Sequence, residues 1–229
     1  MDQGTNGAYQ LTGRTKVRRL PERGRYDRAT VHAILDEGFL CHVAFAVDGQ
    51  VYALPTGYAR VGETLYLHGS TGSRLGMRPG MDVCVTVTLV DGLVLARSVF
   101  HHSFQYRSVM ILGRTRLVTD LEEKDAALRA VVEHIVPGRS QVARGPDRKE
   151  LAATAVLAVP LLEVSAKVRT GPVGDEEEDY ALPVWAGVLP LGLAAGEPRP
   201  DGRLQGDLPV PAHVAGWHRP APPKDAAIS

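Results

Sequence analysis

Residues 39–70 read FLCHVAFAVDGQVYALPTGYARVGETLYLHGS, and the local fold can be read directly from them. Residues 39–47 are apolar or β-prone, and Asp48-Gly49 is a strong two-residue hairpin signal. Residues 51–60 form the return strand, the run Arg60-Val-Gly-Glu63 turns again, and residues 64–68 make a third strand. Strands joined by connections this short pair as antiparallel neighbours. Downstream, residues 81–90 are apolar and β-branched, Asp91-Gly92 reads as another turn, and residues 93–98 continue the sheet. Residues 104–117 predict a long strand, and 154–160 and 162–169 predict two more. Upstream, Asp27 is placed to cap a short helix with Val31, Ile34 and Leu35 on one face, ended by Gly38. Asp120 caps a second helix over 121–135, stopped by Pro137-Gly138. Six or more strands with two or three helices predict a mainly β fold with α, a small antiparallel barrel with helices packed outside.

The chain has 229 residues, 26 Lys+Arg and 26 Asp+Glu, so its formal net charge is zero. Hydrophobic residues at 44% and charged residues at 23% fit a globular chain with a real core. Neutrality argues against a nucleic-acid partner held by bulk charge. It conceals a polarity: residues 1–28 carry seven basic and three acidic side chains, and residues 175–229 carry four and nine. Eight of the 16 prolines lie in 190–229, which predicts an extended or disordered tail rather than regular structure. The expected organisation is a flexible N-terminal arm over 1–15, a compact domain over 16–193, and a proline-rich tail over 194–229. Two cysteines, Cys41 and Cys84, cannot build a disulfide framework. With neither a secretory leader nor a membrane-length apolar run, the expected location is the cytoplasm, with no membrane partner.

Several segments could carry chemistry. Residues 69–74 follow a strand with Gly69, Ser70, Ser73 and Arg74, a plausible phosphate cradle of backbone N–H groups, hydroxyls and one forked cation. The same composition also makes an ordinary surface turn. The densest polar cluster runs from Arg97 through His101, His102 and Tyr106 to Ser108. In an extended segment Tyr106 and Ser108 share one face and Arg107 takes the other. Adjacent histidines cannot both reach one metal from a strand, so no metal site is expected, and hydrogen-bonded or pocket-lining roles fit better. Asp36-Glu37 and the acidic run 175–179 read as solvated surface. The basic run from Arg14 to Arg19 reads as a solvated arm or partner contact.

Taken together, the blocks RGRYDRATVHAILDEG from Arg23, CHVAF from Cys41, YALPTGYARVGETLYLHGS from Tyr52, LARSVFHHSFQYRSVMILGR from Leu95, SAKVRTGP from Ser165 and LPVWAGVLPL from Leu182 resemble one family. It is the FMN-binding split-barrel family related to pyridoxamine 5′-phosphate oxidase, in the branch of the nitroimidazole-resistance proteins. The resemblance implies a six-stranded antiparallel split β-barrel with flanking helices, and a homodimer with FMN at the subunit interface. It implies cofactor contacts from Leu54, Pro55 and Thr56 along the ring edge, and from His68, Gly69 and Ser70 at the ring or ribityl chain. Ser73 and Arg74 would meet the phosphate, with Ser108 and Arg97 as further contacts. The implied activity is that of an oxidoreductase on a small nitroaromatic, quinone-like or pyridoxamine-like molecule, with His101, His102 or Tyr106 as candidate proton donors. The alternative is a non-enzymatic flavin- or haem-binding sensor. Two departures count against pyridoxamine phosphate oxidation itself: Arg74-Leu75 replaces the Arg-Lys pair of the oxidases, and Trp185 and the run Gly216-Trp-His-Arg219 do not match their C-terminal pattern.

Overall fold

The structure is a computed structural model and describes residues 7–74 and 80–219. In chain order the elements are β1 (Gly24–Arg25), α1 (Arg28–Glu37), β2 (Leu40–Val47), β3 (Gln50–Val61), β4 (Thr64–Ser70) and β5 (Asp82–Leu95). Then come β6 (Ser103–Arg114), β7 (Arg116–Leu117), α2 (Leu121–Ile135), α3 (Arg139–Val142) and α4 (Arg148–Ala153). β8 (Thr154–Pro160), β9 (Glu163–Arg169), β10 (Gly187–Pro190) and α5 (Ala212–Ala215) complete the set.

All strand pairings are antiparallel, in the order β1-β9-β6-β5-β2-β3-β4-β8-β7, with β10 on β5. The predicted long strand is interrupted only at Thr115, where β6 passes into β7. That passage closes a circuit of six strands, β5, β2, β3, β4, β8 and the β6–β7 strand. β8 pairs with β7 whereas β9 pairs with β6, so consecutive strands part company and the barrel is split. β9, expected over 162–169, lies outside that circuit, and β1 and β10 are strands that the sequence reading did not include.

Inside, alternation sets the core. Val43 opposes Val85, which opposes Ile111, which opposes Val164, and all four are buried. β8 is buried on both faces: Leu157 and Val159 enter the barrel, while Val156 and Ala158 pack beneath α2 with Val118 and Ala127. Both predicted caps form, with Asp27 accepting from Thr30 N at 2.7 Å and Asp120 from Glu123 N at 2.8 Å. Asp48 and Gly49 both have positive φ, 51° and 81°, the requirement of the hairpin turn read from the sequence.

Gly38 ends α1 against the core. A methyl group there would sit 2.6 Å from Val87 Cγ1 and 3.0 Å from Tyr58 Oη. Gly38→Ala should therefore destabilise the protein by about 1–3 kcal/mol through overpacking. A denaturant midpoint equal to wild type would show that Val87 and Tyr58 can move aside.

Five expectations need correction. Asp91-Gly92 is not a turn: β5 runs straight through it, and a bulge between Val90 and Gly92 absorbs the extra residue. Glu37 is not solvated but buried, its carboxylate held by Arg107. The described part of the N-terminal lead-in is anchored at Tyr9 and Thr15. Tyr9 is buried and donates to Glu63 at 2.9 Å, and Thr15 is buried as well. The acidic run is anchored, because the Asp175 side chain is fully buried against Arg97. The tail is extended over much of its described length, yet residues 217–219 dock. Trp217 Nε1 donates to Ile135 O at 2.8 Å, its ring meets Phe39 edge-on, and Arg219 reaches Glu37 at 2.9 Å. The helical turn expected after residue 74, and Leu75 itself, lie outside the described residues.

Among the described residues no helix is long and apolar enough to cross a membrane.

Candidate functional site

β4 carries Leu65 and Leu67 into the barrel core, so Tyr66 and His68 face outward beneath α2. There His68 lines an open pocket of about 520 Å³ between β4, α2, α3 and the segment leading into α4. The α2 wall is Leu128, Val131 and Val132, which recur at three- and four-residue spacing on one helix face. Ala143 and Pro146 close the far side. His68 Nδ1 is buried with no hydrogen-bond partner among the described residues. Burial pushes the ring's pKa below the ordinary histidine value, so the neutral imidazole, the ligating form, prevails at pH 7.

The rim is cationic. Arg129 is paired with Asp125 at 2.7 Å and Arg144 with Glu150 at 2.6 Å. Arg139, at the start of α3, has no carboxylate partner among the described residues. A neutral imidazole in an apolar chamber with arginines at its mouth has the donor set for a flat, apolar, anionic metal chelate. No group of three or more His, Cys, Asp or Glu side chains converges among the described residues. One histidine is a poor seat for a bare ion, but it suffices for haem, whose porphyrin supplies the equatorial ligands.

The other expected site residues fall into separate places. On β3 the alternation divides the triplet. Pro55 opposes His42, which opposes Thr86, on the outer sheet face that also carries Ser108 and Tyr106. Leu54 and Thr56 oppose Val43 and Cys41 on the inner face, with Tyr52. The Arg74 guanidinium lies 4.5 Å from the Tyr52 ring centroid, so this loop belongs with Tyr52 and Leu54 and not with Ser108. Gly69 is a ladder residue opposite Ala155.

The cradle's donors are largely spent. Thr71 N donates to Ala153 O, Gly72 N to Ser70 Oγ and Ser73 N to Ser70 O. As an anion site the loop would have to rely on its side chains.

Arg97 is drawn elsewhere. Its backbone N–H and its guanidinium both donate to Asp175 at 3.1 Å, and Tyr180 lies under it. Burial alone would raise the Asp175 pKa, but these hydrogen bonds hold it below the usual carboxylate value. His101 faces Glu176 at 3.4 Å, and His102 Nδ1 meets Ser98 O at 2.9 Å. Both histidines are thus engaged with the 175–181 segment and their own turn. Tyr106 is half-buried on the outer face.

A family model described as pyridoxamine 5′-phosphate oxidase matches residues 27–168. The chain belongs to that family. Among solved structures it is similar to the flavocytochrome Anf3 from Azotobacter vinelandii, at 42% identity over 90% of this chain and 97% of that one, with a TM-score of 0.85. It is also similar to the FAD and haem binding protein from Mycobacterium smegmatis, at 37% identity over 86% and 98% of the two chains, TM-score 0.81. A candidate 5-nitroimidazole antibiotic resistance protein from Bacteroides thetaiotaomicron shares 23% identity over 63% and 86%, TM-score 0.54, a likeness of fold. Among curated proteins no match is found.

The sequence pointed to His68, and the structure places it beside Leu128, Val131, Val132 and Arg139. Leu128, Val131, Val132 and Arg139 went unread as site residues. The available signal was the width of the apolar stripe on 121–135, which exceeds what packing on β8 requires and leaves Val132 39% exposed.

Proposed function

We propose that this protein is a flavin- and haem-binding redox protein, with His68 as the residue that would hold the haem iron. The observation that carries the reading is the buried, partnerless His68 nitrogen beside an apolar cavity rimmed by arginines. When bound, haem supplies one-electron chemistry at its iron. The chain's part is to keep His68 neutral, to exclude water with Leu128, Val131 and Val132, and to offer Arg139 to a propionate. The resemblance to two cofactor-bearing proteins at 42% and 37% identity supports a flavin alongside it.

The flavin is read here as FAD rather than the FMN first expected. The relative at 37% identity is an FAD and haem binding protein, and the loop expected to hold a lone phosphate has spent its backbone donors. A homodimer is part of the proposal. Two copies would bring the Pro55–Ser108 face of one to the Tyr52–Arg74 edge of the other, combining contacts that one chain keeps apart. The cytoplasm is the proposed location, and Cys41 and Cys84 are both free thiols. The protein is then an oxidoreductase whose cofactors move the electrons.

The test is spectroscopic. Protein expressed with haem precursors should show a Soret band and a flavin band, and chromatography of the released flavin should identify FAD. A protein that takes up neither hemin nor flavin on reconstitution would sink the proposal, and release of FMN alone would restore the earlier cofactor.

A further inference from the structure

The outer sheet face carries a second concavity of about 360 Å³, between the N-terminal residues 14–17 and strands β5, β6 and β9. Five hydroxyl residues line it: Thr15, Thr86, Thr88, Ser108 and Ser165. So do three cations, Arg14, Lys16 and Lys167, and no carboxylate. The nearby carboxylate of Glu163 is taken by Arg14 and by the Thr12 hydroxyl. That leaves two ammonium groups without an anion. Lys167 Nζ makes one 3.3 Å bond to Arg19 O, and Lys16 has no side-chain partner among the described residues. The Thr15 hydroxyl is engaged by Thr12, but the other four are nearly idle. Ser108 Oγ has one long bond, 3.4 Å to Lys167 O, and Thr86, Thr88 and Ser165 make no side-chain hydrogen bond among the described residues.

Unneutralised cations beside idle hydroxyl donors, on paired strands and the segment 14–17 beside them, make a site for a group with many acceptor oxygens and negative charge. We infer that this groove binds the diphosphate of a nucleotide. The 69–74 loop, with its backbone donors consumed, is the weaker phosphate site. Two sources share this chemistry: the diphosphate arm of the FAD proposed above, or a separate dinucleotide that delivers electrons. Only the first source rests on the flavin reading.

The experiment is titration calorimetry of the full chain with ADP, on protein as purified and after removal of flavin. ADP should bind, more weakly as salt rises, and Lys16→Ala/Lys167→Ala should weaken it by about tenfold or more. Binding only after flavin removal assigns the groove to the flavin's own arm. Binding in both states assigns it to a separate nucleotide, and a reduced pyridine nucleotide should then compete with ADP. No ADP binding in either state, or equal affinity in the double variant, overturns the inference. Both lysines are on the surface of the groove, and circular dichroism of the variant confirms that its fold is intact. A colourless purified protein that still binds ADP through these lysines would remove the flavin reading and leave the groove.

Discussion

His68→Ala should abolish the Soret band of hemin-reconstituted protein while leaving the fold and the flavin content intact. The ring projects from β4 into a pocket and makes no hydrogen bond among the described residues. Its Nδ1 is without a partner, and the strand is held by its ladder to β8. Losing the imidazole therefore costs the metal far more than the protein. Removing an outer-shell partner of a ligand costs about 10–100-fold in metal affinity. Removing the ligand itself should exceed that, and added imidazole should restore part of the absorbance by filling the vacated space.

The pH dependence has a definite sign. Because burial lowers the His68 pKa beneath its ordinary 6.5, protons compete with iron only below that value. Haem affinity should stay level as the pH falls to 6.5 and decline beneath it. A decline centred at or above 6.5 would mean that the ring is solvated, and a Soret band retained in His68→Ala would move the ligand elsewhere.

Much of the barrel was legible because each signal for it is local. Alternation along 39–70, the Asp48-Gly49 turn and the Asp27 and Asp120 caps are decided within a few residues of where they act. The site was harder to read because its members meet only in three dimensions. Residues 69–74 have the composition of an anion loop, yet whether their N–H groups are free depends on Ala153, far along the chain. Charge runs misled for a related reason. Asp36 and Glu37 are neighbours, but successive residues on a helix point about 100° apart. Asp36 meets Arg60 at the surface while Glu37 turns inward to Arg107. In the same way Asp175, the first of five acidic residues, is buried on Arg97 while Glu176, Glu177 and Glu178 remain exposed. Composition describes a run; burial selects one member of it. The tail is the extreme case, because nothing near Trp217 or Arg219 in sequence announces Ile135 or Glu37.

Arg107→Met should be the most destabilising single substitution outside the cofactor sites. The guanidinium is 6% exposed and serves two carboxylates. It holds Asp91 through Nε at 2.8 Å and a terminal nitrogen at 2.7 Å, and Glu37 through both terminal nitrogens. Burial alone would loosen its proton, but the hydrogen bonds to Asp91 and Glu37 raise its pKa still further. The β5 bulge is what presents Asp91, and the docked tail adds Arg219 to Glu37 at 2.9 Å. Two carboxylates are thereby balanced by two guanidinium groups in a water-poor site. Methionine keeps the length of the arginine stem but strands Glu37 and Asp91 with Arg219 alone. Breaking a buried ion pair by removing one partner costs about 3–5 kcal/mol, which for a chain of this size lowers Tm by roughly 6–20 °C. The charge, not the lost contact area, should dominate. Glu37→Gln combined with Arg107→Met should therefore recover part of the loss, and the single variant should gain stability relative to wild type as acid neutralises the stranded carboxylates. A thermal midpoint within 2 °C of wild type, at roughly the shift expected of a single exposed pair, would show that water reaches this cluster and that Arg107 is not its keystone.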